Sequence, residues 1–157
     1  MNAVKLASFV DTELQTTLQD SLVTKDSLGK YYLFGRYSVV LSNGYYTVQT
    51  GNKTLLFSAL KTATAWCVLD NAGKYFEANR IETLDLKLCS MTLDIAIHKN
   101  KIKTAKTDAE KLIFIIKLQE DNYKRRSILN ELDIYINSAK RIQDKIFHKK
   151  DSKFNYV

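Results

Sequence analysis

The sequence predicts an α+β fold: a small antiparallel β-meander with a covering helix, followed by a long antiparallel α-helical hairpin resembling a coiled coil. Three observations predict it. Tyr31 to Phe57 is rich in β-branched and aromatic residues that alternate with polar ones around Asn43-Gly44. Ile81 to Ala105 carries apolar residues at steps of three and four. Thr107-Asp108-Ala109-Glu110 has the form of a capping box and starts a second helical run. The 157 residues divide into a head (1–74), a helical hairpin (75–150) and a polar, flexible tail (151–157).

Val4, Ala7, Val10, Leu14, Leu18 and Leu22 form one stripe and predict a first helix over 3–22. Thr24 to Lys30 is polar, contains Gly29 and reads as a loop. Tyr37, Val39 and Leu41 then alternate with Arg36, Ser38 and Val40, and Tyr46 and Val48 continue beyond Asn43-Gly44. Both central residues of a type I′ turn need positive φ, which asparagine and glycine tolerate best. Thr50-Gly51-Asn52 is a second turn before a strand at Lys53 to Phe57. Three strands result, or four if Tyr31 to Phe34 pairs separately. Ser58 is placed to cap a helix running to about Asp70, with Leu60, Ala63, Cys67 and Val68 on one side and Trp66 nearby. Gly73 suits the left-handed position that ends such a helix.

In the hairpin, Ile81, Leu84, Leu88, Met91, Ile95, His98, Ile102 and Ala105 make a regular seam. The second helix, from about Asp108 to His148, presents Leu112, Ile115, Leu118, Leu129, Leu132, Ile136, Ala139 and Ile146, interrupted by Asn122 and Arg125. A short turn folds the two back on each other. At 1.5 Å per residue, helices of about 30 and 40 residues span roughly 45 and 60 Å, so the second outruns the first unless it docks on the head.

Composition narrows the function classes. Hydrophobic residues make up 45% and charged residues 26%, which excludes wholesale disorder. Two cysteines, Cys67 and Cys89, are too few for a disulfide scaffold. No basic segment followed by an apolar run of about 7–15 residues opens the chain, and no apolar stretch nears the roughly 20 residues a membrane span needs. The expected setting is reducing and cytoplasmic, with no membrane contact. The net charge of +7 permits an acidic partner. Its lysine-rich, asparagine-rich composition also fits an AT-rich genome.

The only histidines are His98 and His148, and no metal, nucleophile or phosphate-loop motif is present. No cofactor and no catalytic activity are expected. Asp94 and His98 share a helix face and are spaced to hold a metal or a proton, but His98 reads better as a polar layer that fixes helix register. Acidic residues near helix starts, such as Glu77 and Glu82, answer to the helix dipole. Basic residues cluster at Lys99, Lys101, Lys103 and Lys106, at Lys124, Arg125 and Arg126, and at the C-terminal helix end. Tyr31, Tyr32, Tyr37, Tyr45 and Tyr46 read as packing residues before they read as a base-stacking platform.

The stretch Ala63-Thr64-Ala65-Trp66-Cys67-Val68-Leu69-Asp70, with Tyr75-Phe76-Glu77-Ala78-Asn79-Arg80-Ile81 and Leu84-Asp85, resembles a family of small tailed-phage proteins from marine bacteria. Ile97-His98-Lys99 and Lys117-Leu118-Gln119-Glu120-Asp121 extend the likeness over roughly residues 31 to 147. The resemblance implies a phage setting, in the host cytoplasm, the virion or both. It carries no activity and no site residue.

The expected function is therefore that of a non-catalytic phage assembly, adaptor or structural protein acting through helix–helix contacts. Its expected partner is a second copy, with a dimer favoured, or another phage or host protein. The candidate interface is Leu84, Leu88, Met91, Ile95, His98, Ile102, Leu118, Leu129, Leu132 and Ile136. The alternative is a sequence-tolerant nucleic-acid-binding accessory protein using Lys140, Arg141, Lys145, Lys149 and Lys150.

Overall fold

The structure, a computed structural model, describes residues 10–16, 18 and 24–154, with side chains through Ile146. Five antiparallel strands in sequential order form one sheet: β1 (Thr24–Lys25), β2 (Tyr31–Leu33), β3 (Tyr37–Ser42), β4 (Tyr45–Thr50) and β5 (Lys53–Phe57). Three helices follow: α1 (Leu60–Asn71), α2 (Tyr75–Thr104) and α3 (Asp108–Phe154). The α+β class and the meander-then-hairpin order are as the sequence predicts.

The strands obey the period of two. Tyr31, Val39, Val48 and Leu55 stand opposite one another across four strands. Leu33, Tyr37, Val39, Val48 and Phe57 are buried, and the rings of Tyr37 and Phe57 lie 6.0 and 6.2 Å from Trp66 of α1. Asn43 and Gly44 both have positive φ, 53° and 82°, as a type I′ turn requires. The expected loop at Thr24 to Lys30 is instead a hairpin. Thr24 and Lys25 pair with Tyr32 and Tyr31, and Asp26 Oδ1 accepts from the backbone N–H of Leu28 and Lys30. The polar residues of that stretch serve the turn between the two paired strands.

Helix α1 departs from the expected one-sided packing. Thr62 through Leu69 are all buried, because the helix has the sheet on one side and α2 and α3 on the others. Its threonines enter the core by bonding backward, Thr62 Oγ1 to the Ala59 carbonyl and Thr64 Oγ1 to that of Leu60. Gly73, at φ 78°, ends the helix, and the N–H of Lys74 reaches Leu69 O while that of Gly73 reaches Asp70 O. This is a Schellman motif.

Ser58 does not cap α1. Ala59 occupies the N-cap, and Ser58 turns to the carboxylate of Asp85 on α2, its Oγ donating at 2.8 Å and its N–H at 2.9 Å. The cap comes from Asp11 in the N-terminal segment, whose oxygens accept from the N–H of Leu60 and Lys61 at 3.1 and 3.0 Å. Burial pushes the Asp11 carboxyl up, and these two donors pull against that shift. Asp11→Ala strips two orphan N–H groups of their acceptor and is expected to cost about 2 kcal/mol in urea denaturation. A loss under about 0.5 kcal/mol contradicts the capping role.

The predicted helix over 3–22 is corrected where it is described; residues 3–9 and 19–22 lie outside the described residues. Helix covers 10–13, and Leu14 to Thr16 are not helical. Tertiary bonds take over the backbone there. Asp133 Oδ1 of α3 accepts from the N–H of Gln15 and Thr16, and Lys61 Nζ donates to the Leu14 carbonyl. Val10 and Leu14 are buried and Leu18 packs against the same core, as the stripe predicts.

Helix α3 has 47 residues, about 70 Å, and continues to Phe154, beyond the expected end near His148. It packs along α2 and then on α1, so its extra length docks on the head. One core therefore runs from Val10 and the sheet through α1 to Leu129, Leu132, Ile136 and Ala139.

Candidate helix–helix interface

The ten seam residues lie between α2 and α3 or against the head. Leu84, Leu88, Ile95, Leu129, Leu132 and Ile136 are buried, and Met91, His98, Ile102 and Leu118 are half-buried. The seam is thus satisfied within one chain. Leu112, expected on the seam of the second helix, faces outward and is exposed. Stepping back from Leu118 by three or four residues reaches Ile115 and Phe114, and both are half-buried.

On α3 the buried side runs through Leu118, Asp121, Arg125, Leu129 and Leu132, in steps of three, four, four and three. Two four-residue steps in succession make a stutter, which locally unwinds the heptad pattern. Polar residues sit on it. His98 Nδ1 bonds Asp121 Oδ2 at 2.5 Å, with the Phe114 ring 6.1 Å from the imidazole. Asp94 is exposed and takes no part in that contact. Arg125 Nη1 and Nη2 donate to the Glu13 carboxylate at 2.5 and 2.6 Å, and Nε donates to Thr92 Oγ1 at 3.2 Å. Asn122, expected to interrupt the seam, is exposed; Asp121 holds that place. The capping box forms in part: Glu110 N–H donates to Thr107 Oγ1 at 3.1 Å, while the Glu110 carboxylate reaches Lys106 N–H.

Glu13 and Arg125 are both largely buried, so removing the Glu13 carboxylate takes two hydrogen bonds and the counter-charge from the guanidinium. Glu13→Ala is expected to cost about 3 kcal/mol and to raise hydrogen exchange at Leu14 to Thr16 selectively. Unchanged exchange there contradicts the claim that this pair holds the N-terminal segment on α3.

The other chemistry-bearing groups are engaged. Asp85 accepts from Ser58 and from Thr62 Oγ1 at 3.0 Å, and burial raises its pKa. Burial pushes both thiols up, Cys89 to about 11, so neither is a thiolate at neutral pH. An open cleft of about 420 Å³ is lined by Arg36, Thr50, Gly51, Lys53, Trp66 and Asp70. Its charges have partners: Tyr37 donates to Asp70 at 2.5 Å, Arg36 donates to Asn71, and Lys53 lies over the Trp66 ring. Among the described residues no three His, Cys, Asp or Glu side chains converge, and no helix is long and apolar enough to cross a membrane.

The hairpin-tip lysines Lys99, Lys101, Lys103 and Lys106 are all exposed, but the C-terminal basic set does not share one exposed face. Arg141 and Lys145 are exposed on one face, but Lys140 is half-buried, roughly 100° around the helix from Arg141. The side chains of Lys149 and Lys150 lie outside the described residues. Arg125 is removed from the basic cluster it shares in sequence with Lys124 and Arg126 by its bond to Glu13.

What the seam pattern overlooks is the opposite side of the same helices. Leu86, Leu93 and Ile97 on α2 face away from α3, and Leu112, Ile113, Ile116 and Tyr123 on α3 face away from α2. Their exposure runs from 44% at Ile97 to 78% at Tyr123. Counting in threes and fours from Leu86, rather than from Leu84, would have found the α2 stripe. No protein-family model, no curated protein and no solved structure matches this chain.

Proposed function

We propose that this chain is a non-catalytic assembly or adaptor protein that acts through the outward faces of its hairpin. One observation carries the reading: beyond the head, α2 and α3 each carry aligned, exposed apolar residues on their outer sides, in addition to the apolar seam they share. Isolated exposed apolar residues need no explanation, but aligned stripes on two long helices mark an interaction surface. The phage setting rests on the sequence resemblance and fits a small helical adaptor. Nucleic-acid binding has less support, since Arg141 and Lys145 are the two exposed basic residues of its proposed set within the described side chains.

The test is a photo-crosslinking residue at Leu93 or Ile116 in cells that naturally make the protein. Crosslinks to protein at both positions are expected. Crosslinks to nucleic acid alone, or none, contradict the reading.

A further inference from the structure

The two outer stripes share one spacing. On α2, Leu86, Leu93 and Ile97 are seven and four residues apart; on α3, read backward, Tyr123, Ile116 and Leu112 are also seven and four apart. Tyr75 lies eleven residues before Leu86, Ile134 eleven after Tyr123, and both are exposed. Two helices laid antiparallel thus set Leu86 on Tyr123, Leu93 on Ile116 and Ile97 on Leu112, with Tyr75 and Ile134 continuing the register. Of the flanking charges, Asp94 falls beside Lys117 on one side of this contact and Lys103 beside Asp108 on the other, all four exposed, while Lys87 falls beside the like-charged Lys124.

Each stripe faces away from the seam, so they occupy opposite edges of the hairpin and one chain cannot bring them together. A second copy can. We infer that α2 of one copy packs antiparallel on α3 of the next in this register, an inference that rests on the function proposed above. The contact is heterologous, since each copy contributes a different face. Addition therefore continues until it closes a ring or builds an open stack. With the flanking lysine stems it buries on the order of 1,000 Å² in total, the lower end for a specific interface, so assembly should depend on concentration. The apolar spacing sets the register and the exposed charges add little affinity, so assembly should survive high salt.

The test uses two full-length variants. Leu93→Asp spoils the α2 face and leaves the α3 face intact; Ile116→Asp does the reverse. Both positions are exposed, so both variants should keep the parent's helicity and melting temperature; should either unfold, Leu93→Ser and Ile116→Ser replace them. Each variant alone should be a monomer by sedimentation equilibrium, while an equimolar mixture should give a 1:1 dimer and grow no further. A Leu93→Asp chain that still self-associates, or a mixture that stays monomeric, overturns the inference. A parent chain that is monomeric throughout, yet crosslinks to a different protein from position 116, overturns the inference and leaves the proposed function standing. A monomer that crosslinks to no protein overturns both.

Discussion

Leu88→Asp should unfold the hairpin. Leu88 has no exposed surface and belongs to the core that joins α2, α3 and the head. A carboxylate there replaces an apolar side chain inside the core, and the cost of burying it exceeds about 4 kcal/mol. Domains of this size have about 5–15 kcal/mol of stability in all, so the variant should lose most of its helical circular dichroism at 25 °C or melt far below the parent. Leu93→Asp, five residues on, should change stability by less than about 0.5 kcal/mol, because the side chain already stands in solvent. Equal effects at the two positions contradict the assignment of inner and outer faces.

Asp85 should show the second largest effect. It is 2% exposed and accepts bonds from Ser58 N–H, Ser58 Oγ and Thr62 Oγ1, fastening the entry of α1 to α2. Asp85→Ala leaves the Ser58 N–H and Oγ without their acceptor in a dry site, while Thr62 Oγ1 keeps the Ala59 carbonyl, and should cost about 3 kcal/mol. Asp85→Asn can accept from Ser58 N–H through its carbonyl and donate from its NH2 to the two hydroxyls, and it removes a buried charge, so at pH 7 it should stay within about 1 kcal/mol of the parent. The pH dependence separates the two roles. Burial raises the folded-state pKa above the ordinary 3.8, so between those values the folded chain holds a proton the unfolded chain lacks. Stability from this group therefore falls as pH rises through the folded value and returns on acidification. Denaturation of parent and Asp85→Asn between pH 7 and pH 4 should show the parent gaining on the variant as pH falls. A parent that loses ground instead contradicts a buried, strained carboxylate.

Most of the architecture is legible in sequence because it follows short periods. The alternation from Tyr37 to Val48 and the steps from Ile81 to Ala105 each repeat often enough to fix an element and its inner face. Asn43-Gly44 and Gly73 add local rules that hold whatever surrounds them. What escapes is tertiary. Asp133 takes the N–H groups of Gln15 and Thr16 from more than a hundred residues away, and this ends a helix that periodicity alone would continue. Asp11 caps α1 across a gap of 49 residues, freeing Ser58 to bond Asp85. No local pattern announces either. Lys140 and Arg125 show the same limit for charge: adjacency in sequence groups them with other cations, while the helix face or a buried carboxylate separates them. The outer stripes were legible, since their steps of seven and four keep the helical period that the seam also follows. They were hidden because the seam, with its longer run, satisfies the pattern first.

With the seam closed within one chain, the account places association on the outer faces of the hairpin. The measurement that tests this most directly is the absolute mass of the full chain by light scattering, over rising concentration at low and at high salt. The account predicts a weight-average mass that climbs steadily above 18.0 kDa as concentration rises, with little change on adding salt. A mass that stays at 18.0 kDa throughout contradicts it.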